Sequence, residues 1–335
     1  MVRALQRQEE MNMSVKWGVL GTAGIARGCT IPGMKEAANC ELYAIAGRDE
    51  AKVESFRKEF GFEKAYVGYD DLLADPEVQA VYIPLPNNLH KEWVIKAVKA
   101  GKHVLCEKPL ALCAEDVKEM FEAARENNVL LMEAFAYLQS PYVSMLKEEI
   151  QSGSIGEVDY IRTEFLTQGY IDDIRIRKET GGGALYDLGC YCTSMILSLV
   201  DSQPDYVMAN SEFNENGVDI YSSALMKFKN GVRAAFTIGM IFRPEPNDRQ
   251  DSLYIHGTEG HIVSDIEYNQ AGMLHFTVFS KDGKAERSFE ARQNYALETE
   301  QFGRCIENGE EPLVTADFSI RNAGLLDMIL SKIQA

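Results

Sequence analysis

The chain has 335 residues, 46% of them hydrophobic and 25% charged, so two cores can be buried and disorder is not indicated. Its formal charge of −17 would repel phosphate backbones and anionic headgroups, so neither nucleic acid nor a membrane is expected as a partner. The seven cysteines form no CxxC pair, which predicts reduced thiols in a cytoplasmic protein and no metal site. The first twelve residues lack the apolar core of a signal peptide and are expected to form a polar leader.

Residues 15–133 alternate between short apolar segments and helical patterns. Five apolar segments are predicted as buried strands: Val15–Leu20, Cys40–Ala46, Val78–Ile83, Val104–Cys106 and Val129–Met132. Amphipathic stripes fill the intervals, and Gly61 and Gly101 are predicted to end two of the helices. This alternation predicts an α/β fold with a parallel, doubly wound sheet, a dinucleotide-binding Rossmann domain over residues 14–135.

The pattern changes after about residue 140. One long helix is predicted over Leu185–Val200, and strands then dominate, with Asn230-Gly231 and Asp282-Gly283 as hairpin signals. Two helices end the chain, Ala296–Asn308 and Ala316–Lys332, the second with Thr315 as a predicted N-cap. Residues 136–335 are therefore predicted to form a second domain, an antiparallel sheet with a few helices.

The first strand leads into a degenerate form of the dinucleotide-binding loop G-x-G-x-x-G. Small residues at its first, third and sixth positions permit a tight turn, close approach of a pyrophosphate, and packing of the next helix on the strand. That helix points its first N–H groups at the phosphates. The turn could be purely structural, but its place in an alternating unit favours cofactor binding. The candidate cofactor residues are Gly21, Thr22, Ala23, Gly24, Ile25 and Ala26.

The end of the second strand bears on the choice between NAD and NADP. An NAD-preferring site usually carries an acidic residue there for the ribose diol, but this chain reads Gly47-Arg48-Asp49. Arg48 can stack on adenine and pair with a 2′-phosphate, which favours NADP. NAD stays open, because Asp49 could turn inward to the ribose while Arg48 is merely solvated.

Glu107-Lys108-Pro109 follows the fourth predicted strand, where the carboxyl ends of parallel strands face the ligand crevice. Burial and an oxidised nicotinamide would both lower the pKa of Lys108, so this lysine could take or give a hydroxyl proton. Glu107 could hold the lysine or bind the nicotinamide ribose, and the Lys108–Pro109 bond could be cis. The structural alternative is a surface Glu–Lys pair followed by a proline that only ends the strand.

The segment GGGALYDLGCY at 181–191 turns sharply into a helix on its three glycines. Asp187 and Tyr191 are four residues apart and share one helix face. A carboxylate and a phenol that project together are well placed to bind the hydroxyl groups of a polyol. A tyrosine close to an ammonium can also act as an acid. The structural alternative is a carboxylate that satisfies the helix dipole beside a tyrosine at a domain seam.

The polar loop before the three glycines adds candidates for the substrate cleft. It carries Tyr170, Arg175 and Arg177. Binding residues are often found on such loops, and Tyr170 and Arg177 are taken as candidate substrate ligands. The alternative is a solvated loop.

Together these segments resemble the Gfo/Idh/MocA family of oxidoreductases, from about Lys16 to Lys332. The matching stretches are GTAGIA at 21–26, PLPNNLHKEWVIKAVKAGKHVLCEKPLAL at 84–112, SGSIGEVDYIRTEF at 152–165 and GGGALYDLGCY at 181–191. Ala23 departs from the usual second glycine. Tyr191 stands where inositol dehydrogenase-like members carry histidine. It resembles the branch with dimeric dihydrodiol dehydrogenase, D-xylose dehydrogenase and glucose–fructose oxidoreductase, which often prefers NADP.

The resemblance implies a Rossmann domain followed by an α+β domain whose open antiparallel sheet carries a homodimer or higher oligomer interface, with the last helix packed back on the first domain. It assigns Lys108 as the main acid/base residue, assisted by Tyr191, with Asp187 at the substrate. Four more residues are implied near the cofactor: Leu85, Asn87, His90 and Glu107.

The implied activity is an NAD(P)-dependent dehydrogenase or reductase. It moves hydride between nicotinamide and a secondary alcohol/ketone of a sugar, polyol or cyclic diol. One alternative is a tightly held cofactor recycled between two substrates. The other is a non-catalytic protein of the same fold that senses dinucleotide or sugar.

Overall fold

The structure is a computed structural model that describes residues 14–243, 248–265 and 268–333. The expected polar leader lies outside these ranges. Within them, the strands form two sheets, one of six strands and one of eight. None of the helices in these ranges combines the length and the apolar character that a membrane span requires.

The first sheet is parallel, with the strand order β3-β2-β1-β4-β5-β6. Its strands are β1 (Val15–Leu20), β2 (Cys40–Gly47), β3 (Lys64–Val67), β4 (Ala80–Ile83), β5 (His103–Glu107) and β6 (Leu131–Ala134). The helices between them are α1 (Ile31–Glu36), α2 (Glu50–Phe60), α3 (Asp70–Ala74), α4 (His90–Lys99) and α5 (Ala114–Glu126). The doubly wound Rossmann sheet predicted from the alternation is confirmed.

The sequence predicted five strands in this sheet, and the strand it missed is β3. Its side chains alternate between half-buried and exposed, because β3 lies at the edge of the sheet. The other strands carry the apolar runs of strands covered on both faces, β6 at the opposite edge included, and that signal is absent from β3.

The second sheet has the order β14-β13-β12-β11-β7-β10-β9-β8. Neighbouring strands are antiparallel except β7 and β10, which pair in parallel, so the predicted antiparallel sheet is confirmed apart from this one pair. Its strands are β7 (Val158–Gln168), β8 (Pro204–Phe213), β9 (Asp219–Phe228), β10 (Arg233–Phe242), β11 (Arg249–Gly257), β12 (Gly260–Ser264), β13 (Gly272–Ser280) and β14 (Gly283–Ala291). The helices are α6 (Pro141–Gln151), α7 (Cys190–Leu199), α8 (Asn294–Asn308) and α9 (Ala316–Ile333).

The local signals for turns and caps are confirmed. Gly231 and Gly283 adopt φ of +93° and +111° in the two hairpin turns, a backbone region that glycine enters without steric cost. Thr315 caps α9, because its hydroxyl oxygen accepts a hydrogen bond from the Phe318 N–H at 3.2 Å.

The last helix joins the two sheets. Asp327 of α9 accepts a hydrogen bond from the Ala114 N–H at the start of α5 at 2.9 Å. One turn or so earlier, Asn322 accepts a hydrogen bond from the Thr193 hydroxyl of α7 at 2.7 Å. This double attachment keeps the carboxyl edge of the parallel sheet beside the start of α7, where the candidate site lies.

Candidate functional site

The loop after β1 has the shape that a dinucleotide phosphate needs. Gly21 adopts φ of +132°, and a Cβ atom there would lie 3.2 Å from the Leu85 side chain. A Cβ atom on Gly24 would meet nothing within 4 Å, so this face of the loop is open. The chain then enters a π-helical turn, Ala26–Thr30, and then α1. The N–H groups of the first helical turn have no partner within the helix, so the residues present fit an anionic diphosphate.

At the end of β2, Arg48 and Asp49 take different roles. The Asp49 carboxylate caps α2 by accepting a hydrogen bond from the Lys52 N–H at 3.0 Å. Arg48 is exposed and lies beside Tyr69, where burial raises the pKa of the phenol and the Arg48 cation opposes that rise. The Arg48 guanidinium is therefore available to an incoming ligand. The Asp49 carboxylate, by contrast, already accepts a hydrogen bond from the helix on one of its oxygens.

The residues implied near the cofactor after β4 hold loops together. His90 is fully buried, with Nε2 2.7 Å from the Leu85 carbonyl oxygen and Nδ1 2.9 Å from the Pro109 carbonyl oxygen. The Asn87 side chain donates to the Gly181 carbonyl at 2.9 Å. His90 thus braces the loops after β4 and β5, and Asn87 ties the first domain to the glycine turn.

Lys108 is bound by the second domain. Its Nζ donates to the Asp187 carboxylate and to the Asp187 main-chain carbonyl, both at 2.9 Å. The same Nζ lies 4.8 Å from the centroid of the Tyr191 ring. The peptide bond between Lys108 and Pro109 is cis, as considered from the sequence. The structure thus brings together the three residues predicted to perform the chemistry.

The charge state of Lys108 differs from the expectation of a lowered pKa. Burial is the largest single influence and would lower the pKa, but the charges of Asp187 and of the groups around it, Tyr191 among them, together outweigh burial and raise the pKa of Lys108. Burial would likewise raise the pKa of Asp187, but Lys108 and Arg175 hold it below its ordinary value. The chain alone therefore favours an ammonium–carboxylate pair.

Tyr191 lies in an aromatic cage. Its ring is surrounded by four others at centroid distances of 5.2–5.9 Å: Phe135, Tyr137, Phe165 and Tyr268. Its hydroxyl accepts a hydrogen bond from the Asn269 side chain at 3.2 Å, and burial raises the pKa of the phenol. Tyr191 is therefore a neutral hydrogen-bonding group.

Glu107 does not pair with Lys108, which was one of its two predicted roles. It is buried and accepts a hydrogen bond from the Tyr82 hydroxyl at 2.6 Å. Tyr82 accepts one in turn from the Thr30 hydroxyl at 2.9 Å, so the chain of bonds runs back to the π-helical turn after the cofactor loop. Burial raises the pKa of Glu107.

Glu133 at the end of β6 has a part in the site that was not predicted from the sequence. This buried carboxylate accepts a hydrogen bond from the Leu110 N–H at 2.9 Å and so anchors the loop after Lys108-Pro109. Burial raises the pKa of Glu133 to about 7. A carboxylate at the carboxyl end of a predicted strand was the available signal.

Of the three candidates on the polar loop, the two that approach Asp187 could not be told from the sequence. The Arg175 Nε donates to the Asp187 carboxylate at 3.0 Å, and its guanidinium carbon lies 4.9 Å from the centroid of the Tyr170 ring. Arg177, which was predicted as a substrate ligand, pairs instead with the exposed Asp172. Tyr170 and Arg175 therefore border the Lys108–Asp187 pair, and Arg177 does not.

Models of one protein family match both domains of the chain. The model of the GFO_IDH_MocA oxidoreductase family, with an NAD-binding Rossmann fold, matches residues 15–135. The model of the GFO/IDH/MocA C-terminal domain matches residues 143–263.

Among the residues that the structure describes, no group of three or more His, Cys, Asp or Glu side chains is arranged to hold a metal ion.

Individual relatives match over almost the whole chain. The D-xylose 1-dehydrogenase (NADP(+)) 2 of Haloferax volcanii is 34% identical over 93% of this chain and 95% of its own. The trans-1,2-dihydrobenzene-1,2-diol dehydrogenase of Xenopus laevis is 30% identical over 96% and 98%. A solved 3-ketoreductase from Actinomadura kijaniata, in complex with NADP and TDP-benzene, matches with a TM-score of 0.89 at 29% identity over 96% and 98%. The chain belongs to the Gfo/Idh/MocA family of NAD(P)-dependent oxidoreductases.

Proposed function

We propose that this oxidoreductase interconverts a secondary alcohol and a ketone on a sugar, polyol or cyclic diol, with NADP preferred over NAD. The observation that carries the proposal is the position of the Lys108 ammonium. It lies at the carboxyl end of β5, bonded to Asp187 and above the ring of Tyr191. The names of the relatives, a D-xylose dehydrogenase, a dihydrobenzenediol dehydrogenase and a 3-ketoreductase, agree with this substrate class.

The chain's residues divide the work as follows. Lys108 takes the hydroxyl proton as a neutral amine when the alcohol is oxidised, having first released its own proton to solvent, and as an ammonium it gives a proton to the oxygen in the reverse direction. Tyr191 donates a hydrogen bond to the reacting oxygen, and Asp187 orients Lys108 and a neighbouring substrate hydroxyl. Residues 21–26, Arg48 and Glu107 would hold the dinucleotide, whose nicotinamide accepts or supplies the hydride when it is bound.

A panel of sugars, polyols and cyclic diols, assayed with each cofactor by nicotinamide absorbance, tests the proposal. Turnover of at least one polyol is expected, with the higher kcat/KM with NADP. Purified protein is scanned first for absorbance of a retained nicotinamide, since a recycled cofactor would hide net turnover. Dinucleotide binding without turnover, in single or paired substrates, would favour the sensing protein instead.

The cofactor preference predicts a selective effect at Arg48. Replacing Arg48 by alanine should raise KM for NADP by about tenfold or more, because a cation beside a phosphate contributes a charge-assisted hydrogen bond. KM for NAD should change much less. Steady-state kinetics with both cofactors measure this, and an equal rise in both constants would end the assignment to NADP.

We also propose that the outer face of the second sheet docks a second copy of the chain. Directly opposed residues form one row across this face: Met208, Leu225, Ala235, Arg162, Tyr254 and Val263. Leu225 is 58% exposed, whereas the neighbouring inward-facing row is buried in the core. Eight strands spaced about 4.8 Å apart are wide enough for the roughly 800 Å² that each partner of a stable interface buries. Three large apolar side chains of this row, Met208, Leu225 and Val263, are exposed, and exposed apolar side chains on one face support an interface there.

The docking proposal predicts that Leu225→Glu lowers the oligomeric state. A buried charge without a partner is costly at an interface, so the variant should elute as a monomer while the parent elutes as a dimer or larger. Leu313→Glu is the matched control, because Leu313 is 53% exposed but lies between α8 and α9. Light scattering after gel filtration measures both, and an unchanged mass for Leu225→Glu would move the interface elsewhere.

The compartment is proposed on chemical grounds. All seven cysteines are free thiols, and burial raises the pKa of several of them, Cys190 and Cys192 included. Protonated, buried thiols persist in a reducing compartment, which supports a cytoplasmic protein.

A further inference from the structure

Arg175 contacts three groups at the edge of the candidate site. Its Nε donates to Asp187 Oδ2 at 3.0 Å, and its Nη1 donates to the Asp173 carboxylate at 3.1 Å. Its guanidinium stacks over Tyr170. The arginine is therefore fixed on three sides, although nothing in the sequence distinguished it from Arg177.

The glycine turn holds the backbone of Arg175 in place. The Gly183 N–H donates to the Arg175 carbonyl oxygen at 2.9 Å. A Cβ atom on Gly182 would lie 2.5 Å from that same oxygen, so only glycine permits this approach. The segment that carries Asp187 and the loop that carries Arg175 are thus one locked unit.

One carboxylate serves two cations here. Asp187 Oδ1 accepts from Lys108 and Oδ2 accepts from Arg175, so its negative charge is divided between them. The other titratable groups that face Lys108, from the ends of β5 and β6, from α4 and from the start of α7, are Glu107, Glu133, His90, Cys190 and Tyr191. Arg175 is the cation that shares Asp187 with the lysine.

We propose that Arg175 is a positioning residue that fixes Asp187 and, by sharing its carboxylate, limits how strongly Asp187 holds Lys108 as an ammonium. This inference rests on the proposed function for its catalytic meaning. Without Arg175, the full carboxylate charge would act on the lysine and a repelling cation would be gone. Both changes favour the ammonium, so Lys108 would release its proton less readily.

Competitive labelling of lysines at a fixed alkaline pH tests this without any substrate. Only the free amine reacts with acetic anhydride, so mass spectrometry of the Lys108 peptide reports its deprotonated fraction relative to the exposed Lys281. In Arg175→Gln, Lys108 should react about tenfold more slowly, which corresponds to about one pKa unit. Simple opening of the loop would expose Lys108 and speed its reaction, so slowing cannot arise from a loosened fold.

The matched control is Arg177→Gln, which removes the same charge from the same loop but leaves the pair with Asp187 intact. Its Lys108 labelling rate should stay within about twofold of the parent. Arg175→Lys keeps a cation that cannot form both side-on contacts, and an intermediate slowing of about threefold is expected. If Arg175→Gln does not fold, the labelling rate of Lys108 in Arg175→Lys tests the inference. An unchanged or faster rate in the Arg175 variants, or equal slowing in Arg177→Gln, overturns the inference.

A pH–rate profile separates this inference from the proposed function. If the enzyme oxidises an alcohol, the ascending limb of kcat/KM should move to higher pH by about one unit in Arg175→Gln and stay in place in Arg177→Gln. If no alcohol is turned over, the proposed function fails while the labelling result still decides the role of Arg175. Turnover with an unmoved limb and an unmoved labelling rate rejects Arg175 alone.

Discussion

Replacing Lys108 by alanine should lower kcat by a factor on the order of 10²–10⁴, while the dinucleotide still binds. The ammonium is the group placed to exchange the hydroxyl proton, and the phosphate loop at 21–26 lies on a different strand end. Initial rates measure kcat, and calorimetric titration with NADP measures binding.

The fold is expected to survive this change. Asp187 keeps Arg175 as a partner at 3.0 Å, so its largely buried carboxylate is not left without a cation. Lys99→Ala, at the exposed end of α4, removes the same side chain outside the site and should leave kcat unaltered. Turnover of Lys108→Ala within threefold of the parent would remove Lys108 from the mechanism.

Local sequence patterns predicted the positions of the site residues that lie at the ends of strands and helices. Lys108 ends a buried strand, and Asp187 and Tyr191 were expected on one face of a helix. Both do contact Lys108, although Leu185–Gly189 is a π-helical turn rather than a regular α-helical one. Element type and the edge of a parallel sheet predicted where each residue lies in its own domain, and the family resemblance placed the three residues in one site.

The parts that sequence reasoning missed depend on contacts between distant segments. Asn269 reaches Tyr191 across 78 positions from a turn beside β13. Whether Arg175 or Arg177 meets Asp187 depends on the irregular path of one loop, which no periodicity encodes. The expected lowering of the Lys108 pKa was argued from burial and an oxidised nicotinamide, and it did not include the Asp187 carboxylate at 2.9 Å, which raises the pKa in the chain alone.

Asp187→Asn is expected to affect both stability and turnover. The amide keeps the shape and an acceptor oxygen but removes the charge between two cations, so the free energy of unfolding should fall by about 2–3 kcal/mol at pH 7. This value lies below the roughly 3–5 kcal/mol of a broken buried pair because Arg175 is partly exposed. Urea unfolding measures the loss, and kcat/KM should fall about 100-fold because Lys108 loses its orienting partner.

The pH dependence of that loss has a definite sign. The pKa of Asp187 is held below its ordinary value, so its contribution is present at neutral pH and disappears as pH falls through the lowered pKa. The difference between parent and variant should therefore shrink below about pH 4. Asp172→Asn, the same change at an exposed partner of Arg177, should cost less than about 0.5 kcal/mol at either pH.

The Asp187 and Arg175 variants also test each other. Removing the carboxylate withdraws the charge that raises the pKa of Lys108, so the ascending limb of alcohol oxidation should move to lower pH in Asp187→Asn. Removing the arginine should move it to higher pH. Opposite displacements follow only if the two groups act on the lysine through their charges. If both variants moved the limb in the same direction, a general disturbance of the loop would explain them, and the electrostatic role assigned to Asp187 would fall with that of Arg175.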